Sequence, residues 1–466
     1  MTQATLGLGD ATKRKGAMTQ PSTRSPIQTR RDPFTRRRTR GVAAAAVAAL
    51  ACGLLAACSS GSGKPTLNWY VNPDGVETLT ALAEQCSTDA YDIEVQLLPS
   101  GATDQRTQLA RRLAAGDSST DLMSLDPVFV AEFANANWLE QLPEDVATKA
   151  TDEDVLAGAA ETVTWDDGVY AFPQWANTQV LWHRKSLAEA AGLDMSKPVT
   201  WEQVIEAAAG NDGTVGVQAN KYEAYVVWIN ALIQGAGGDI ISDNEAGRDA
   251  QIDIDSDAGR AAAEVIQSLA QSDAAQPDLT TSNEGTSLGL MYPDDGAGEF
   301  MTNWTFVYRN YQDLLEAGDI TQEEFDDLGF VRYPQTVAGE ESKPPIGGID
   351  IGVGAFSKHP ELALEAAACV TTSEAQVQLA VNEGLMPARA SAYEAKELTE
   401  AYPPELLQLF AESVDQGGPR PKSAYYATIS AAVQSIWHSP ESVDPDTTPE
   451  ESARFLREVL DGKALL

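Results

Sequence analysis

The sequence predicts an α/β protein of two lobes, in which each lobe is a mostly parallel sheet flanked by helices. Three observations lead to this prediction. The chain has 466 residues, which favours more than one domain at roughly 150 residues each. After residue 64, short apolar strands alternate with amphipathic helices, an order that is typical of parallel sheets. Two cysteines, Cys86 and Cys369, lie far apart and indicate that the chain returns late to its first lobe.

Composition and charge exclude several classes of protein. At 43% hydrophobic and 22% charged residues, the chain can form large cores and is not expected to be disordered. Residues 1–57 hold ten of the 32 basic residues and two of the 69 acidic residues, so the remainder is strongly acidic. This excess argues against nucleic acid or an anionic membrane surface as a partner and favours a neutral or cationic ligand. Because His183, His359 and His438 share no metal-ligand spacing, we predict no metal and no cofactor.

The N-terminal segment has the pattern of an export signal. A basic stretch is followed by an apolar run over residues 42–57, which is too short for a confident membrane span. The run ends in Leu55-Ala56-Ala57-Cys58, which resembles a bacterial lipobox. We therefore expect a signal peptide over 1–57, lipidation of Cys58, a flexible tether over 58–64, and a location on the extracellular face of the cell membrane. The sequence leaves open whether translation starts at Met1 or at Met18, and by which route the protein is exported.

The mature chain would retain two cysteines, Cys86 and Cys369. Outside the membrane they should be oxidised, and an even pair without a CxxC pattern indicates one structural disulfide. Such a bridge would join a late segment of the chain to an early one.

The first third of the mature chain predicts alternating strands and helices. Apolar runs predict strands over 67–71, 93–98 and 122–125, and helical spacing predicts helices over 76–85, 106–115 and 128–136. The pattern then continues with strands over 169–172, 179–182, 215–218, 300–304 and 348–353, and helices from Thr200 and over 224–234, 258–272, 360–370 and 449–460. Ligands of open α/β sheets bind beyond the carboxyl ends of the strands, so we expect the site in a cleft between the lobes.

Several segments resemble the extracellular solute-binding proteins of sugar ABC importers, of the maltodextrin-binding type. Beside the lipobox, they are residues 121–126, 168–173, 177–182, 198–201, 347–349 and 357–360. Within that family the chain is most similar to the mycobacterial trehalose-binding lipoproteins, through residues 108–113, 131–134, 218–220, 226–228, 303–304 and 389–391. The resemblance implies a type II periplasmic-binding-protein fold with discontinuous lobes: residues 65–173 and 349–386 in the N-lobe, and 174–348 and 387–466 in the C-lobe. It also implies that both cysteines lie on helices of one lobe.

A neutral sugar requires fixed hydrogen-bonding groups and an aromatic face. Asp126 follows an apolar strand and should emerge at the carboxyl end of the sheet, although a helix cap is the alternative. Asn177 follows the predicted hinge, with an ordinary turn as its alternative. Trp304 ends a strand and is expected to stack on a sugar ring rather than pack in the core.

The resemblance implies further ligand contacts. Glu284, in a polar loop, is similar to the acidic residue that binds the sugar in this family. Gly348 and Ile349 resemble a pair that meets the sugar through the backbone, where the absence of bulk allows close approach. Arg420 resembles the arginine that contacts the sugar, in a loop stiffened by prolines.

For three other residues, a structural role is an alternative to ligand binding. Asp74 and Arg106 are further ligand-binding candidates, with an exposed surface position as the alternative. Trp228 lies in mid-helix among apolar residues and is predicted to belong to the core.

The resulting hypothesis is a monomeric binding protein without enzymatic activity. Two lobes close on a disaccharide, with trehalose favoured by the resemblance, and deliver it to the permease subunits of an ABC importer. Maltose or another oligosaccharide is an alternative ligand. A secreted glycosidase, which needs two carboxylates about 5–10 Å apart, and a binder of peptides or polyamines are alternative functions.

Overall fold

A computed structural model describes residues 63–292 and 298–466; the predicted signal peptide and Cys58 lie outside these residues. The strands are β1 (Thr66–Val71), β2 (Asp92–Leu97), β3 (Leu122–Leu125), β4 (Thr164–Trp165), β5 (Gly168–Val169), β6 (Ala171–Arg184), β7 (Thr214–Gly216), β8 (Ile241–Ser242), β9 (Gln251–Ile252), β10 (Gly298–Trp304), β11 (Leu328–Val331) and β12 (Ile346–Val353).

The helices of the first half are α1 (Val76–Cys86), α2 (Ala102–Ala114), α3 (Val130–Asn135), α4 (Glu144–Ala150), α5 (Ala157–Thr162), α6 (Lys185–Ala190), α7 (Trp201–Ala209) and α8 (Glu223–Gly235). Those of the second half are α9 (Asp257–Gln271), α10 (Glu284–Met291), α11 (Phe306–Ala317), α12 (Gln322–Asp327), α13 (Pro360–Val370), α14 (Ser373–Glu383), α15 (Lys396–Ala401), α16 (Pro404–Asp415), α17 (Tyr426–Trp437) and α18 (Thr448–Leu460).

One long strand, β6, joins the two lobes. Up to Thr178 it pairs with β12, which continues into a sheet with β3, β1 and β2; we call this part the N-lobe. From Gln179 onward β6 pairs instead with β10, which continues to β7, and from Leu181 with β11; this part is the C-lobe. Two separate strands were predicted here, but β6 continues through Pro173. Proline cannot donate a hydrogen bond to the neighbouring strand, and a register shift against β12 accommodates it.

The sheets confirm a two-lobed α/β fold, in which one strand of each sheet runs against the others. In the N-lobe β1 is parallel to β2 and β3, as the alternating order predicted, whereas β12 is antiparallel to both β3 and β6. In the C-lobe only β7 and β10 are parallel, and β6 runs antiparallel to β10 and β11. Each sheet is therefore mixed, with one reversed strand: β12 runs against β1, β2, β3 and β6 in the N-lobe, and β6 runs against β7, β10 and β11 in the C-lobe.

Each lobe has its own apolar core. The N-lobe core packs β1 and α1 against α13, and the bridge between Cys86 and Cys369 joins those two helices, as the cysteine count indicated. The C-lobe core surrounds α8, where Trp228 is buried and packs 5.6 Å from Trp201 between ring centroids. Trp228 is thus a core residue, as predicted. The lobe boundaries named above at residues 173, 348 and 386 stay predictions.

Local sequence signals placed several helix ends correctly. Thr200 caps α7 in a capping box with Gln203, and α13 covers the predicted residues 360–370. Two predictions were wrong in detail. Pro127 opens a 3-10 turn before α3, so the helix expected from residue 128 begins later. Glu284 is the first residue of α10, capped by Asn283, rather than part of a polar loop. In the described ranges, no helix combines the length and apolarity needed to cross a membrane.

Candidate functional site

A cavity of about 470 Å³ lies where the two lobes meet. The N-lobe contributes residues that follow the carboxyl ends of parallel strands: Asn72 after β1, Ser100 after β2 and Asp126 after β3. The C-lobe contributes Tyr222, which follows β7, and Trp304, the last residue of β10. The site therefore forms where strand ends from both sheets converge, as expected for open α/β sheets.

Arg420 joins the two walls of this cavity. Its Nη2 donates to Oδ1 of Asp126 at 2.8 Å, and its Nη1 donates to Oε1 of Glu223 at 2.8 Å. Arg420 is only 6% exposed. Burial acts against its charge, but the neighbouring Asp126, Tyr426 and Glu223 outweigh that effect and raise the pKa of Arg420. The guanidinium therefore stays charged and holds two carboxylates in fixed positions.

Glu223 is buried at the start of α8 and is saturated with donors. Besides Arg420, the hydroxyl of Ser430 donates to it at 2.7 Å and the hydroxyl of Tyr426 donates to its Oε1. Burial, followed by the charge of Glu223, raises the pKa of Tyr426 well above its usual value, so this phenol stays protonated. Three donors satisfy this buried carboxylate, which in turn keeps Arg420 in place.

A second polar pair lies on the C-lobe wall. The hydroxyl of Tyr222 donates to Oε2 of Glu284 at 2.7 Å. Burial raises the pKa of Glu284 above its usual value, although hydrogen bonds from Tyr222 and Trp304 act in the opposite direction. Burial also raises the pKa of Tyr222, and the Glu284 carboxylate adds to this. Glu284 therefore takes up a proton at a higher pH than an exposed glutamate.

Two glycines allow the strands and the indole of Trp304 to approach closely. A Cβ on Gly347 would lie 2.9 Å from Cη2 of Trp304, so the indole lies directly against this backbone. Gly348 has φ of 139°, and a Cβ there would lie 2.2 Å from the carbonyl oxygen of Trp175. Other residues would be strained at Gly348. Trp304 stays partly exposed and faces the cavity with a flat apolar surface.

The crossing strand and the rim add amides and acids. Asn177 pairs with Gly347 across β6 and β12, and its Oδ1 lies 3.2 Å from the hydroxyl oxygen of Thr305. Asp74 is exposed at the rim and accepts a hydrogen bond from Nδ2 of Asn72 at 2.9 Å. The arrangement as a whole offers fixed carboxylates, amides, a guanidinium and an aromatic face to one enclosed ligand.

Comparison with known families agrees with this geometry. Residues 72–377 match the family model described as bacterial extracellular solute-binding protein. The chain belongs to this family. The match covers more than half of the chain and extends from the end of β1 into α14, so it includes most of the N-lobe and the crossing strands.

Curated relatives match parts of this solute-binding protein. A probable ABC transporter-binding protein of Deinococcus radiodurans is 27% identical over 283 residues, which are 57% of this chain and 63% of that protein. A mannitol-binding protein of Pseudomonas aeruginosa is 30% identical over 107 residues, which are 22% of this chain and 24% of the relative. The chain thus spans less than two thirds of the length of each of these relatives.

Solved structures share the fold along most of the chain. Maltose-bound MalE3 of T. maritima superposes with a TM-score of 0.72 at 23% identity, covering 86% of this chain and 100% of that one. The GacH receptor of Streptomyces glaucescens superposes with a TM-score of 0.69 at 22% identity, over 86% of this chain and 100% of the other. At these identities the likeness establishes a two-lobed MalE-like fold.

The structure brings most of the predicted site residues into one cavity. Its lining includes Asp74, Asp126, Asn177, Glu284, Trp304, Gly348, Ile349 and Arg420. Asp126 also caps the 3-10 turn through Val128, so its structural alternative holds as well. Arg106 lies outside this lining: its Nε donates to Oε2 of Glu132 at 2.9 Å, on the surface of the N-lobe. It is not placed to meet a ligand in the cavity.

Sequence reasoning missed several lining residues. They are Asn72, Gln105, Trp175, Tyr222, Glu223, Phe306 and Glu383. Asn72 could have been found, because it directly follows an apolar strand, as Asp126 does. Glu223 could not, since it opens an apolar helix and its partners Arg420, Tyr426 and Ser430 lie about 200 residues away in sequence.

The described residues also bear on metal binding. Within residues 63–292 and 298–466, no group of three or more His, Cys, Asp or Glu side chains is arranged to hold a metal ion. The acids of the cavity instead accept hydrogen bonds or ion pairs from Arg420, Tyr222, Asn72 and, at Glu383, from the hydroxyl of Thr78.

Proposed function

We propose that this solute-binding protein captures a neutral disaccharide, with trehalose as the first candidate, and delivers it to the membrane subunits of an ABC importer without transforming it. The observation that carries the proposal is the interlobe cavity, in which the flat face of Trp304 and the acceptors Asp126 and Glu284 surround one space. Stacking suits the C–H face of a pyranose ring, and carboxylates suit pairs of neighbouring hydroxyls.

The charges of the cavity support a neutral ligand. Asp126 and Glu223 are each bonded to Arg420, so this trio presents one net negative charge rather than two free acids. Asp74 is exposed at the rim, where water screens it. A polyamine would need acids free of such partners, whereas a sugar hydroxyl can accept from Arg420 and donate to Asp126 at the same time.

The relatives supply independent support for a polyhydroxylated ligand. A relative of Pseudomonas aeruginosa is named for mannitol, and structural neighbours hold maltose and D-mannitol. Trehalose as the particular ligand is supported by the sequence resemblance described above. Glu284 and Asn177 would then contact hydroxyls, while the open backbone at Gly348 and Ile349 would let a ring approach.

We also propose a membrane anchor and a closing motion for this protein. Lipidation at Cys58 after removal of residues 1–57 would anchor a monomer at the extracellular face of the membrane, close to its permease. The lobes, divided near residues 173, 348 and 386, would close over the ligand by bending where β6 and β12 cross between them. The structure brings Asp126 and Arg420 together across the lobes, and this contact would favour closure.

A thermal-shift screen of the full chain in detergent tests the proposal. Trehalose, maltose, mannitol and spermidine are added separately at increasing concentration. A ligand at about 100 times its dissociation constant should add about 2.7 kcal/mol to the free energy of unfolding. We expect trehalose to raise the melting temperature most and spermidine to leave it unchanged.

Two results of the same preparation would contradict the proposal. If none of the neutral sugars or polyols raised the melting temperature, carbohydrate binding would be wrong. If bound trehalose or maltose were converted to glucose during incubation, the protein would be a glycosidase rather than a carrier. A variant with Trp304→Ala serves as the control, since it should show a smaller thermal shift at the same ligand concentration while it still folds.

A further inference from the structure

The side chain of Gln376, in the first turn of α14, is fully buried. Its Nε2 donates to the carbonyl oxygens of Pro173 at 3.2 Å and Thr371 at 3.0 Å. Its Oε1 accepts from the backbone amides of Ala388 at 2.8 Å and Arg389 at 3.1 Å. One amide group therefore uses its donors and its acceptor fully, and all four partners are backbone groups.

Two of the segments that Gln376 contacts connect the lobes. Pro173 lies on β6, which pairs with the N-lobe sheet up to Thr178 and with the C-lobe sheet beyond it. The other segment follows α14. Leu379 of α14 belongs to the N-lobe core, whereas Met386 belongs to an apolar cluster of the C-lobe. The chain therefore passes from one lobe to the other just before the amides that Gln376 binds.

These two connections lie side by side. The backbone amide of Ala176 donates to the carbonyl oxygen of Met386 at 3.0 Å, and Trp175 forms an antiparallel bridge with Pro387. Proline has no N–H, so Pro173 and Pro387 cannot donate hydrogen bonds to a neighbouring strand. At these prolines the side chain of Gln376 provides the hydrogen bonds that join one connection to the other.

The second connection is also fixed to the N-lobe. Asp154 accepts from the backbone amide and the hydroxyl of Ser391, each at 2.8 Å, and its own carbonyl oxygen accepts from the amide of Ala390 at 2.7 Å. Nη1 of Arg389 donates to Oδ2 of Asp154 at 3.3 Å. The preceding helix α4 places Ala150 in the N-lobe core. Residues 388–391 are therefore held by the N-lobe at both ends.

We propose that Gln376 is a positioning residue of the closing motion, because its amide joins the two connections into one body with the N-lobe. The lobes then turn about the part of β6 that lies beyond this body, where its pairing changes between Thr178 and Gln179. A single connection would allow the lobes to twist as well as to close, whereas two joined connections restrict them to one path. The inference rests on the proposed function, since it concerns the motion by which the lobes would enclose a ligand.

Pulsed electron paramagnetic resonance on the full chain in detergent, without ligand, tests this inference. Glu84 on α1 and Glu206 on α7 are exposed and lie on different lobes. Both are replaced by p-acetylphenylalanine and spin-labelled through the ketone, which leaves the cysteines unlabelled. The distances between the two labels report how the lobes are placed relative to each other. In Gln376→Met, which has a similar length but no amide, we expect the distance distribution to widen about twofold.

Gln174→Met is the matched control. Gln174 is as deeply buried as Gln376, but its Nε2 donates to the carbonyl oxygen of Val370 at 3.0 Å, within the N-lobe. Both methionine variants should have a lower melting temperature than the unmodified protein, because each loses a buried hydrogen-bonding group. Only Gln376→Met should change the distance distribution.

A second variant at the same position covers the case in which Gln376→Met does not fold. Gln376→Asn keeps an amide, but the side chain is one methylene shorter and cannot reach both connections at once. It should also widen the distance distribution, by less than Gln376→Met, and its result alone decides the inference if Gln376→Met does not fold.

The outcomes separate this inference from the proposed function. A distance distribution that stays unchanged in the Gln376 variants would show that the inference is wrong, and so would equal widening in Gln174→Met. Neither result would affect the proposal that the protein binds a sugar. If no sugar binds to the unmodified protein, the proposed function is wrong, while the distances measured without ligand still decide the role of Gln376.

Discussion

Arg420 and Asp126 lie 294 residues apart in sequence, and Nη2 of the arginine donates to Oδ1 of the aspartate at 2.8 Å. The aspartate follows β3 of the N-lobe, and the arginine lies in the loop before α17, which packs on α8 of the C-lobe. The pair therefore spans the boundary between the lobes. Both residues also line the interlobe cavity, so one ion pair links lobe closure with ligand binding.

Replacing Asp126 should affect stability as well as binding. In Asp126→Asn the shape and the cap on the 3-10 turn are kept, but the buried guanidinium loses a charged acceptor. We expect the free energy of unfolding to fall by about 1–3 kcal/mol and the affinity for a disaccharide to fall at least about tenfold. Urea denaturation and calorimetry measure the two effects.

Asp74→Asn is the control for that variant. Asp74 is exposed, so its free energy of unfolding should stay within about 0.5 kcal/mol of the unmodified protein. An Asp126→Asn protein as stable as the Asp74→Asn protein would show that the interlobe ion pair contributes nothing to the fold.

Removing the indole of Trp304 should weaken binding with little effect on stability. The side chain is partly exposed and lies against Gly347 rather than within a core. Trp304→Ala should lower the affinity for a disaccharide at least about tenfold, which corresponds to about 1.4 kcal/mol. Trp304→Phe, which keeps a flat ring, should recover part of it. A large drop in the melting temperature of unliganded Trp304→Ala would instead assign the residue a structural role.

The pH dependence of binding should report on Glu284. Burial raises the pKa of this carboxyl, so on acidification it takes up a proton at a higher pH than an exposed glutamate and loses an acceptor site. Affinity for a disaccharide should therefore decrease as the pH falls towards this raised value. Glu284→Gln, neutral at every pH, should bind more weakly at pH 7 and lose this part of the pH dependence. Identical pH profiles for both proteins would contradict the assignment.

His183 should make the protein sensitive to acid. Burial, with a smaller effect from Lys185, lowers the pKa of His183 from the usual 6.5 to about 4. Below pH 6.5 the unfolded chain takes up a proton that the folded protein refuses until about pH 4, so stability falls over this range. The loss amounts to about 3 kcal/mol at 1.36 kcal/mol for each pKa unit.

The matched measurement is urea denaturation of His183→Gln between pH 7 and pH 4. Over that interval, the free energy of unfolding of this variant should fall by about 3 kcal/mol less than that of the unmodified protein. His359→Gln, at a half-buried position, should behave like the unmodified protein. Equal losses in all three proteins would show that His183 titrates normally in the folded state.

The bridge between Cys86 and Cys369 should stabilise the N-lobe. It closes a loop of 283 residues between α1 and α13. Replacing both cysteines by alanine should lower the free energy of unfolding by about 2–4 kcal/mol. Disaccharide affinity should stay unchanged, since neither residue lines the cavity in the described structure. Unchanged denaturation would mean that packing of α1 on α13 alone holds the two segments together.

Local patterns were sufficient for most of the fold. Capping at Thr200 and the apolar spacing of residues 360–370 predicted where α7 and α13 begin, because these signals depend on neighbours within one or two turns. The same logic failed at β6, which was predicted as two separate strands over 169–172 and 179–182. The strand continues because β12 supplies a register shift that no local pattern reveals.

The residues of the candidate site likewise fall into those that local sequence patterns predict and those that only tertiary contacts reveal. Asp126, Asn177 and Trp304 could be proposed because strand ends and the hinge position follow from local order, and Glu284, Gly348 and Arg420 because of the family resemblance. Arg106 does not line this cavity, which the sequence could not reveal, since its partner Glu132 lies on a different helix and the ion pair between them is a tertiary contact.

The sequence by itself determined that the chain is α/β, that it has two lobes, that its mature part is acidic, and that two cysteines are available to form one bridge. Only the tertiary structure decided which acids of the cleft are paired, as at Glu223 and Asp126. The physical reason is the sequence separation between the residues that interact. Helices, strands and caps depend on residues close in sequence, whereas the charge and shape of a cleft depend on side chains brought together from about 200–300 positions away.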